Sequence, residues 1–259
     1  MLTYCPLSSG SKGNCHFAAT QKTAVLIDAG GTAKIIKAQL ACLDISPKRL
    51  DGILITHEHT DHISALDVLC RNFEIPIYAN QKTAACIIKK YPRVERYIRY
   101  FNTGENFYIN DLDITPFKTP HDSAESVGFS LYSGARKLSI ATDIGHINKR
   151  LLEQLRHSHI LVLEANHDMD MLLNGPYPPP LKRRILGNNG HLSNDACGDA
   201  LSQLMCCELQ QVVLAHLSQE NNRPEIAYSA VSGKLSEDGC DLPVDVAYQD
   251  RRGPVYKII

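Results

Sequence analysis

The sequence has no long apolar segment and no excess of one charge. No apolar run approaches about 18 residues, the shortest stretch that spans a bilayer as a helix. The start of the chain, Met1 to Pro6, lacks the basic region and long apolar core of a secretory signal. Lysine and arginine number 27 and aspartate and glutamate 28, a formal net charge of −1. This excludes the global basic field of many nucleic-acid binders, so any contact with an anionic polymer must be local.

The cysteines lack the pairing of a disulfide framework or a zinc site. There are nine, an odd number, and no two of them form a Cys-x-x-Cys pair. We expect reduced thiols that pack in the core of a cytoplasmic protein without membrane contact. Repeats, low-complexity tracts and linkers are also missing. The proline-rich segment 175–180 is better explained as a rigid surface loop than as a domain boundary, which predicts one domain over residues 1–259.

What the sequence does contain is an ordinary globular composition and an alternation of strand and helix patterns. Hydrophobic residues make up 44% and charged residues 21%, enough for a large core. Strands are predicted over residues 2–7, 16–20, 23–28, 51–56, 75–79, 105–109, 112–117, 127–132, 136–142, 159–164 and 211–215, with two short strands around 250–253. Helices are predicted over residues 33–43, 62–72, 81–98, 146–156, 180–187, 194–207 and 224–237. Strands in two batches, each followed by helices, indicate an α/β (α+β) protein with two packed sheets covered by helices.

The most informative segment is the run Thr56-His57-Glu58-His59-Thr60-Asp61-His62, which follows the apolar residues 53–55. If the strand stays extended through His57 and His59, their side chains point to the same side and can share one metal ion. Asp61 and His62 then lie where the chain turns into a helix, so they leave at another angle and can reach a second ion. The segment is therefore typical of half of a two-metal site.

Three further ligand types are predicted at the carboxyl ends of strands. His121 follows the strand 112–117, Asp143 follows 136–142, and His216 follows 211–215. Taken singly, either histidine has an alternative explanation as a hydrogen-bonded loop residue, and Asp143 as a helix N-cap. Together with the histidine cluster they would give each ion three or four nitrogen and oxygen ligands, leaving room for a bridging water.

In this order of motifs the chain resembles the metallo-β-lactamase-fold hydrolases, which implies a four-layer αββα sandwich. By this resemblance His57, His59 and His121 hold the first metal, and Asp61, His62 and His216 hold the second. The resemblance further implies that Asp143 bridges both metals and that Asp28 orients the ligands from behind. Many true β-lactamases carry cysteine at the bridging position, so aspartate argues for the di-metal phosphoesterase branches rather than for antibiotic hydrolysis.

The later segments 161–168, 190–194 and 214–222 resemble the WalJ/YycJ group, small relatives of the β-CASP nucleases that lack the β-CASP insertion. The resemblance implies that His191 protonates the leaving oxygen and that Glu164 holds His191. The residues alone leave other roles open, because Glu164 is equally suited to cap a helix and His191 to occupy a turn.

Substrate-binding residues are predicted in two places. The loop 8–14 offers small side chains, free backbone amides and one lysine, which suits phosphate oxygens, and we select Ser11, Lys12 and Asn14 from it. Lys182 and Arg183 lie shortly before His191, where a polyanion would need positive charge. A flexible turn and a solvated helix face are the simpler explanations of these two segments.

The resulting hypothesis is a di-metal phosphodiesterase, a nuclease with 5′ exonuclease-type activity on DNA rather than RNA. A hydroxide that bridges two divalent ions, Zn, Mn or Fe, would attack the phosphorus. Asp61 or Asp143 would orient the hydroxide, and His191, held by Glu164, would protonate the leaving oxygen. No obligate protein partner is evident. The alternatives are a hydrolase of a small cyclic phosphodiester or thioester on the same fold, and a binding protein without activity.

Overall fold

The computed structural model describes residues 1–205 and 208–258 and contains two seven-stranded sheets. The strands are β1 Leu2–Ser8, β2 Cys15–Ala19, β3 Ala24–Ile27, β4 Gly52–Leu54, β5 Ile77–Ala79, β6 Ile98–Tyr100, β7 Phe107–Ile109, β8 Leu112–Lys118, β9 Val127–Ser133, β10 Arg136–Ala141, β11 Ile160–Glu164, β12 Gln211–Ala215, β13 Val244–Val246 and β14 Tyr256–Ile258. The α-helices are α1 Ala33–Ala41, α2 Thr60–Ile63, α3 Leu66–Phe73, α4 Gln81–Lys90, α5 Lys149–Leu155, α6 Met169–Asn174, α7 Pro179–Ile185, α8 Asn194–Leu204 and α9 Pro224–Glu237.

Each sheet is antiparallel at one side and parallel at the other. The first has the order β14-β1-β2-β3-β4-β5-β6 and the second β13-β12-β11-β10-β9-β8-β7. Pairing is parallel from β3 to β6 and from β10 to β13. The parallel strand β11, with the sequence ILVLE, is buried at every residue, as expected for a strand covered on both faces. The polar residues that follow these strands therefore gather at common sheet edges.

Three apolar clusters define four layers. One cluster lies between the sheets and joins Tyr4 and Ile27 of the first sheet to Phe129 and Val162 of the second. A second cluster covers the outer face of the first sheet with α1, α3 and α4, and a third covers the second sheet with α5, α8 and α9. The arrangement is the αββα sandwich that the sequence predicts. Of the seven described cysteines, four are buried; Cys206 and Cys207 lie outside the described residues.

Several predicted elements differ from the structure. Strand β4 ends at Leu54, so His57 and His59 lie on a loop rather than on an extended strand, and Asp61 and His62 lie on α2. The predicted helix 81–98 ends at Lys90 because Pro92 follows, and a 3-10 helix at Pro92–Tyr97 leads into β6, which was not predicted. The predicted helix 62–72 is divided into α2 and α3, and α6 was missed. The end of the predicted helix 194–207 falls on residues outside those described.

Within residues 1–205 and 208–258, no helix combines the length and the hydropathy that a bilayer-spanning segment requires.

Candidate metal centre and active site

The candidate site forms where strands of both sheets end. Asp28 directly follows β3, His57 to His62 follow β4, and His121 follows β8. On the second sheet Asp143 follows β10, Glu164 ends β11, and His216 directly follows β12. All of the residues that sequence reasoning selected as metal ligands are thus brought to one edge of the sandwich.

Three of these strand ends turn sharply through a left-handed backbone. Asp28 has φ 60°, and Asp143 and His216 each have φ 57°. Positive φ is uncommon for residues with a side chain, and aspartate, asparagine and histidine tolerate it best. The turns point polar side chains back across the strand ends instead of letting them continue in register.

The first group of possible ligands contains His57, His59 and His121, whose donor atoms all lie within 4.8 Å of one another. Nε2 of His121 is 3.3 Å from Nδ1 of His59. The opposite ring atom of His121, Nδ1, is 3.2 Å from the carbonyl oxygen of Gly190 and can donate to it. That hydrogen bond would leave Nε2 of His121 as a free electron pair directed at the group.

The second group contains Asp61, His62 and His216. Oδ2 of Asp61 lies 3.3 Å from Nε2 of His62 and 3.5 Å from Nε2 of His216. Asp143 lies between the two groups: Oδ2 is 3.2 Å from Nε2 of His62, and Oδ1 is 3.5 Å from Nε2 of His121. A carboxylate in this place can contact an ion in either group, which is the position that a bridging ligand requires.

Asp28 is buried behind the second group and holds it in place. Its Oδ2 accepts from Nδ1 of His62 at 2.7 Å and from the hydroxyl of Thr56 at 2.9 Å, while Oδ1 accepts from the Thr56 backbone N–H at 2.9 Å. Because Nδ1 of His62 donates to the carboxylate, Nε2 is left to face Asp61 and Asp143. The part of Thr56 in fixing this tautomer was not predicted from the sequence.

Glu164 is completely buried and accepts four hydrogen bonds. Oε1 accepts from Nδ1 of His216 at 2.7 Å and from Nδ1 of His191 at 2.9 Å. Oε2 accepts from the backbone N–H groups of Ile144 at 2.7 Å and Leu192 at 3.1 Å. Burial raises the pKa of Glu164, but the two histidines outweigh it and lower the pKa to about 2. The residue is therefore a fixed negative charge between two imidazole rings.

The donor set fits a divalent metal centre. Nε2 of His57 is buried and has no hydrogen-bond partner among the described residues, an arrangement that costs about 1–3 kcal/mol unless another group satisfies it. The facing ring nitrogens of His59 and His121 lie 3.3 Å apart. When both carry lone pairs they form no hydrogen bond with each other. Histidine nitrogen and carboxylate oxygen are the donors that zinc, manganese and iron accept.

A pocket of about 260 Å³ opens over the two groups and is lined by Ser11, His59, Asp61, Asp122, Asp143, Asn166, Tyr177, Leu181, Arg184, Ile185, Gly190, His191, His216 and Ser218. The His191 side chain is 20% exposed at this wall. Burial lowers the pKa of His191, but the carboxylate of Glu164 outweighs burial, so the net shift is upward. The ring is thus biased toward the protonated form that a general acid needs.

Of the three substrate-binding residues predicted in the loop 8–14, one lines the pocket, one is buried and one is exposed outside it. Ser11 lines the pocket. Asn14 is buried beneath the second group, where Nδ2 lies 3.2 Å from Oδ2 of Asp61 and 3.2 Å from Nε2 of His62. Lys12 is exposed and does not line the pocket; its backbone N–H donates to Gln249 at 3.2 Å.

The basic triplet of α7 presents a different residue to the pocket from the two that were predicted. Lys182 donates from Nζ to the carbonyl oxygen of Leu173 at 2.6 Å, and Arg183 is exposed and does not line the pocket. Their neighbour Arg184 lines it and contacts Asp122, with Nε 2.5 Å from Oδ2. A sequence triplet on a short helix does not reveal which of its members faces inward.

Comparison with known proteins agrees with this geometry. A family model described as a beta-lactamase superfamily domain matches residues 23–217. Exodeoxyribonuclease YycJ of Bacillus anthracis is 36% identical over 241 residues, 92% of this chain and 90% of the relative. Exodeoxyribonuclease WalJ of Streptococcus pneumoniae is 33% identical over 252 residues, 95% of this chain and 93% of the relative.

A solved structure shows the same fold at much lower identity. The metallo-beta-lactamase fold protein YhfI from Bacillus subtilis is 14% identical and superposes with a TM-score of 0.76 over 98% of both chains. This structural similarity shows the shared fold. The family model and the identity to YycJ and WalJ over most of the chain show the superfamily and the family as well. The chain belongs to the beta-lactamase superfamily and, within it, to the family of the exodeoxyribonucleases YycJ and WalJ.

Proposed function

We propose that this protein is a metal-dependent exodeoxyribonuclease that hydrolyses phosphodiester bonds from the 5′ end of DNA. The observation that carries the proposal is the single oxygen, Oε1 of Glu164, that accepts hydrogen bonds from both His191 and His216. It joins a candidate general acid to a candidate metal ligand through one buried carboxylate. The names of YycJ and WalJ, both exodeoxyribonucleases, support DNA as the substrate.

His57, His59 and His121 would hold one divalent ion, and Asp61, His62 and His216 the other, with Asp143 in reach of both. When bound, such ions lower the pKa of water and neutralise charge on phosphoryl oxygens. Zn, Mn and Fe all suit the mixed nitrogen and oxygen donors.

The protein side chains orient the attacking water and supply a proton to the leaving group. Asp61 is 24% exposed and lines the pocket, so its carboxylate can orient the attacking water. His191 lies on the pocket wall and donates a proton to the leaving oxygen. Glu164 holds the His191 ring by Nδ1 and stabilises its cationic form, so the opposite ring nitrogen carries the transferred proton.

Arg184 and Ser11 supply contacts to the nonbridging phosphate oxygens from the pocket wall. The guanidinium of Arg184 is preset for a planar, bidentate contact with phosphate. Lys12, Lys182 and Arg183 would contact the nucleic acid farther from the scissile bond, in keeping with the sequence-based prediction. Asn14 would act on the substrate only through Asp61 and His62, which it touches.

One domain over residues 1–259 is the organisation that suits this activity, because both halves of the chain contribute ligands and share the apolar layer between the sheets. The cytoplasmic location and the lack of an obligate protein partner stay predictions from the sequence.

The proposal is tested by incubating the protein, loaded separately with Mn, Zn or Fe, with single- and double-stranded DNA and RNA labelled at either end. We expect a 5′ label to be released early while a 3′-labelled strand shortens progressively, on DNA and not on RNA. A His59→Ala variant should lose this activity. Internal cleavage without progressive shortening would contradict the exonuclease assignment.

A small phosphodiester or thioester substrate is the second candidate. One observation favours it: among the described residues that line the pocket, the only arginine or lysine is Arg184, and Asp122 already neutralises it. Hydrolysis of a small phosphodiester by a protein that shortens neither DNA nor RNA would support this candidate over the nuclease.

A further inference from the structure

A second cavity adjoins the metal-centre pocket, and the two share one side chain. The second cavity has a volume of about 490 Å³, and His191 lines both. The metal-centre pocket measures only about 260 Å³, below the roughly 300–1,000 Å³ of sites that enclose a small organic ligand. It has room for a phosphodiester group, and the second cavity falls within the range for a nucleoside.

The walls of this second cavity combine an apolar surface with a polar mouth. Ile147, Leu152 and Leu192 supply aliphatic side chains to it, and the exposed residues Lys149 and Gln203 lie at its edge. None of the residues predicted to bind metal lines the cavity within the described chain. Its chemistry therefore differs from that of the pocket over the histidines.

His167 is a buried polar group in this wall without a partner. The residue is 1% exposed, and among the described residues neither Nδ1 nor Nε2 has a hydrogen-bond partner. Its backbone is held firmly, since the carbonyl accepts from the N–H of Asn194 at 2.9 Å. Buried polar atoms in folded proteins are nearly always hydrogen-bonded, so two ring nitrogens that are buried without a partner among the described residues point to a ligand.

The protonation state of the ring defines what it can recognise. Burial lowers the pKa of His167 to about 4, so the ring is neutral near pH 7. A neutral imidazole presents one donor and one acceptor, whereas a charged one presents two donors. The two ring nitrogens point in different directions, so one of them can bond a base edge while the other bonds another group. Nucleobase edges offer both donors and acceptors, and the flat faces of the bases are suited to an aliphatic wall.

We propose that this second cavity binds the nucleoside attached to the leaving oxygen, with its base against the aliphatic wall and its edge hydrogen-bonded to His167. The assignment rests on the proposed function. His191 passes a proton to the leaving oxygen, so the group bonded to that oxygen must lie beside His191. The second cavity borders His191, and none of the predicted metal ligands is among its described lining residues. The ligand class is a deoxynucleoside, free or as the leaving part of a phosphodiester.

The test uses a bulky substitution at the mouth of the second cavity and a matched one elsewhere. Gln203→Trp places an indole at an exposed position of α8 on the cavity edge, and Glu237→Trp makes the same change at an exposed position of α9 outside it. Each metal-loaded protein is assayed on a deoxydinucleoside monophosphate and on bis(p-nitrophenyl) phosphate, whose leaving group has neither sugar nor base.

We expect Gln203→Trp to lower kcat/KM for the dinucleoside monophosphate by about tenfold or more, which corresponds to about 1.4 kcal/mol of lost binding. The same variant should leave kcat/KM for bis(p-nitrophenyl) phosphate unchanged, and Glu237→Trp should alter neither. Equal losses on both substrates, or no loss on the dinucleoside monophosphate, would overturn the proposal.

A direct binding measurement separates this proposal from the nuclease assignment. Deoxyadenosine, which has no phosphate for the metal centre, is titrated into each metal-loaded protein and followed by NMR. We expect binding to the native protein and to Glu237→Trp, and about tenfold weaker binding to Gln203→Trp and to His167→Phe. Binding in this pattern by a protein that fails to cut DNA would reject the nuclease and support the nucleoside site. DNA cleavage together with equal deoxyadenosine binding by all variants would support the nuclease and reject the nucleoside site.

Discussion

Nδ1 of His216 lies 2.7 Å from Oε1 of Glu164, so a residue predicted from the sequence to serve the general acid also orients a candidate metal ligand. Because His216 donates from Nδ1, its Nε2 faces Asp61 at 3.5 Å. His191 shares the same carboxylate oxygen at 2.9 Å. Substitution of Glu164 should therefore change both metal binding and proton transfer, whereas substitution of His191 should change proton transfer alone.

Glu164→Gln should weaken metal binding and slow turnover together. The amide retains the shape of the side chain but loses the charge, and its NH₂ group must face histidine or backbone donors that the carboxylate now satisfies. Loss of such a supporting contact costs about 10–100-fold in metal affinity. Metal affinity by competition with a chromophoric chelator and kcat are the measurements, with Glu237→Gln on the exposed end of α9 as the control. Unchanged metal affinity would show that Glu164 acts on His191 and does not support the candidate metal ligand His216.

His191→Ala should slow turnover without removing metal. His191 contacts Glu164 at 2.9 Å and lies 3.8 Å from Asp143, and its ring centroid is 5.2 Å from that of His121 and 5.3 Å from that of His216. We place it outside the two ligand groups as the general acid, and general acids contribute about 10²–10⁴-fold to rate. We expect kcat on DNA to fall by about 10²-fold or more while metal content, measured by elemental analysis, stays at the native value. His59→Ala should lose metal as well as activity. Equal metal loss in both variants would refute the division of roles.

Asp28→Asn separates the charge of Asp28 from its backbone geometry. Asparagine tolerates the φ of 60° at this position as aspartate does, so the fold should persist while the anionic partner of His62 is lost. Metal affinity should fall by about 10–100-fold. In contrast, Asp28→Leu adds backbone strain of order 1–3 kcal/mol and should lower the melting temperature of the metal-free protein too. A melting temperature equally low in both variants would show that charge and strain are not separable here.

Removal of metal should destabilise the protein. His57, His62, Asp143 and His216 are all buried, and a bound ion would satisfy donor atoms such as Nε2 of His57. A ligand present at a hundred times its dissociation constant stabilises the folded state by about 2.7 kcal/mol. Melting temperatures measured with a chelator, with Mn and with Zn should rise on metal addition in the native protein and not in His59→Ala. No rise in the native protein would argue against a metal centre.

Arg184→Ala should raise KM for DNA more than Arg183→Ala does. Arg184 lines the pocket and Arg183 does not, and loss of one bidentate phosphate contact costs about 1–3 kcal/mol, or roughly 5–150-fold. Arg49→Ala, on the helical turn before β4, serves as the charge-matched control. A larger effect from Arg183→Ala would favour the assignment made from the sequence.

The gathering of ligands was predictable because it depends on chain order and strand ends. His121, Asp143 and His216 follow β8, β10 and β12. These three strands run in the same direction, so their carboxyl ends lie at a common edge of the sheet. The reason given for pairing His57 with His59 was wrong in detail. Strand β4 ends at Leu54, and the rings, 4.6 Å apart between centroids, are brought together by a loop instead of by strand alternation.

Other features depend on tertiary contacts that no local pattern encodes. The rotation of α7 about its own axis decides whether Arg183 or Arg184 lines the pocket. The sequence does not determine this rotation, because the helix has seven residues and three prolines stand before or within its first turn. His167 carries no signal of its own in the sequence. Its surroundings include Ser193, which pairs with it in an isolated bridge, and Asn194, whose N–H donates to its carbonyl; these residues are distant from it in the sequence.

The left-handed turns at Asp143 and His216 have a consequence for redesign of the metal preference. Exchanging Asp143, the candidate bridging residue, for cysteine, or His216 for a softer ligand, would change the coordination chemistry of the candidate centre. At these two positions the backbone conformation also limits which residues are accepted, since only a few side chains tolerate positive φ at low cost. Directed evolution of this centre should therefore find new metal specificities first through His57, His59 and His121, which have no such restriction.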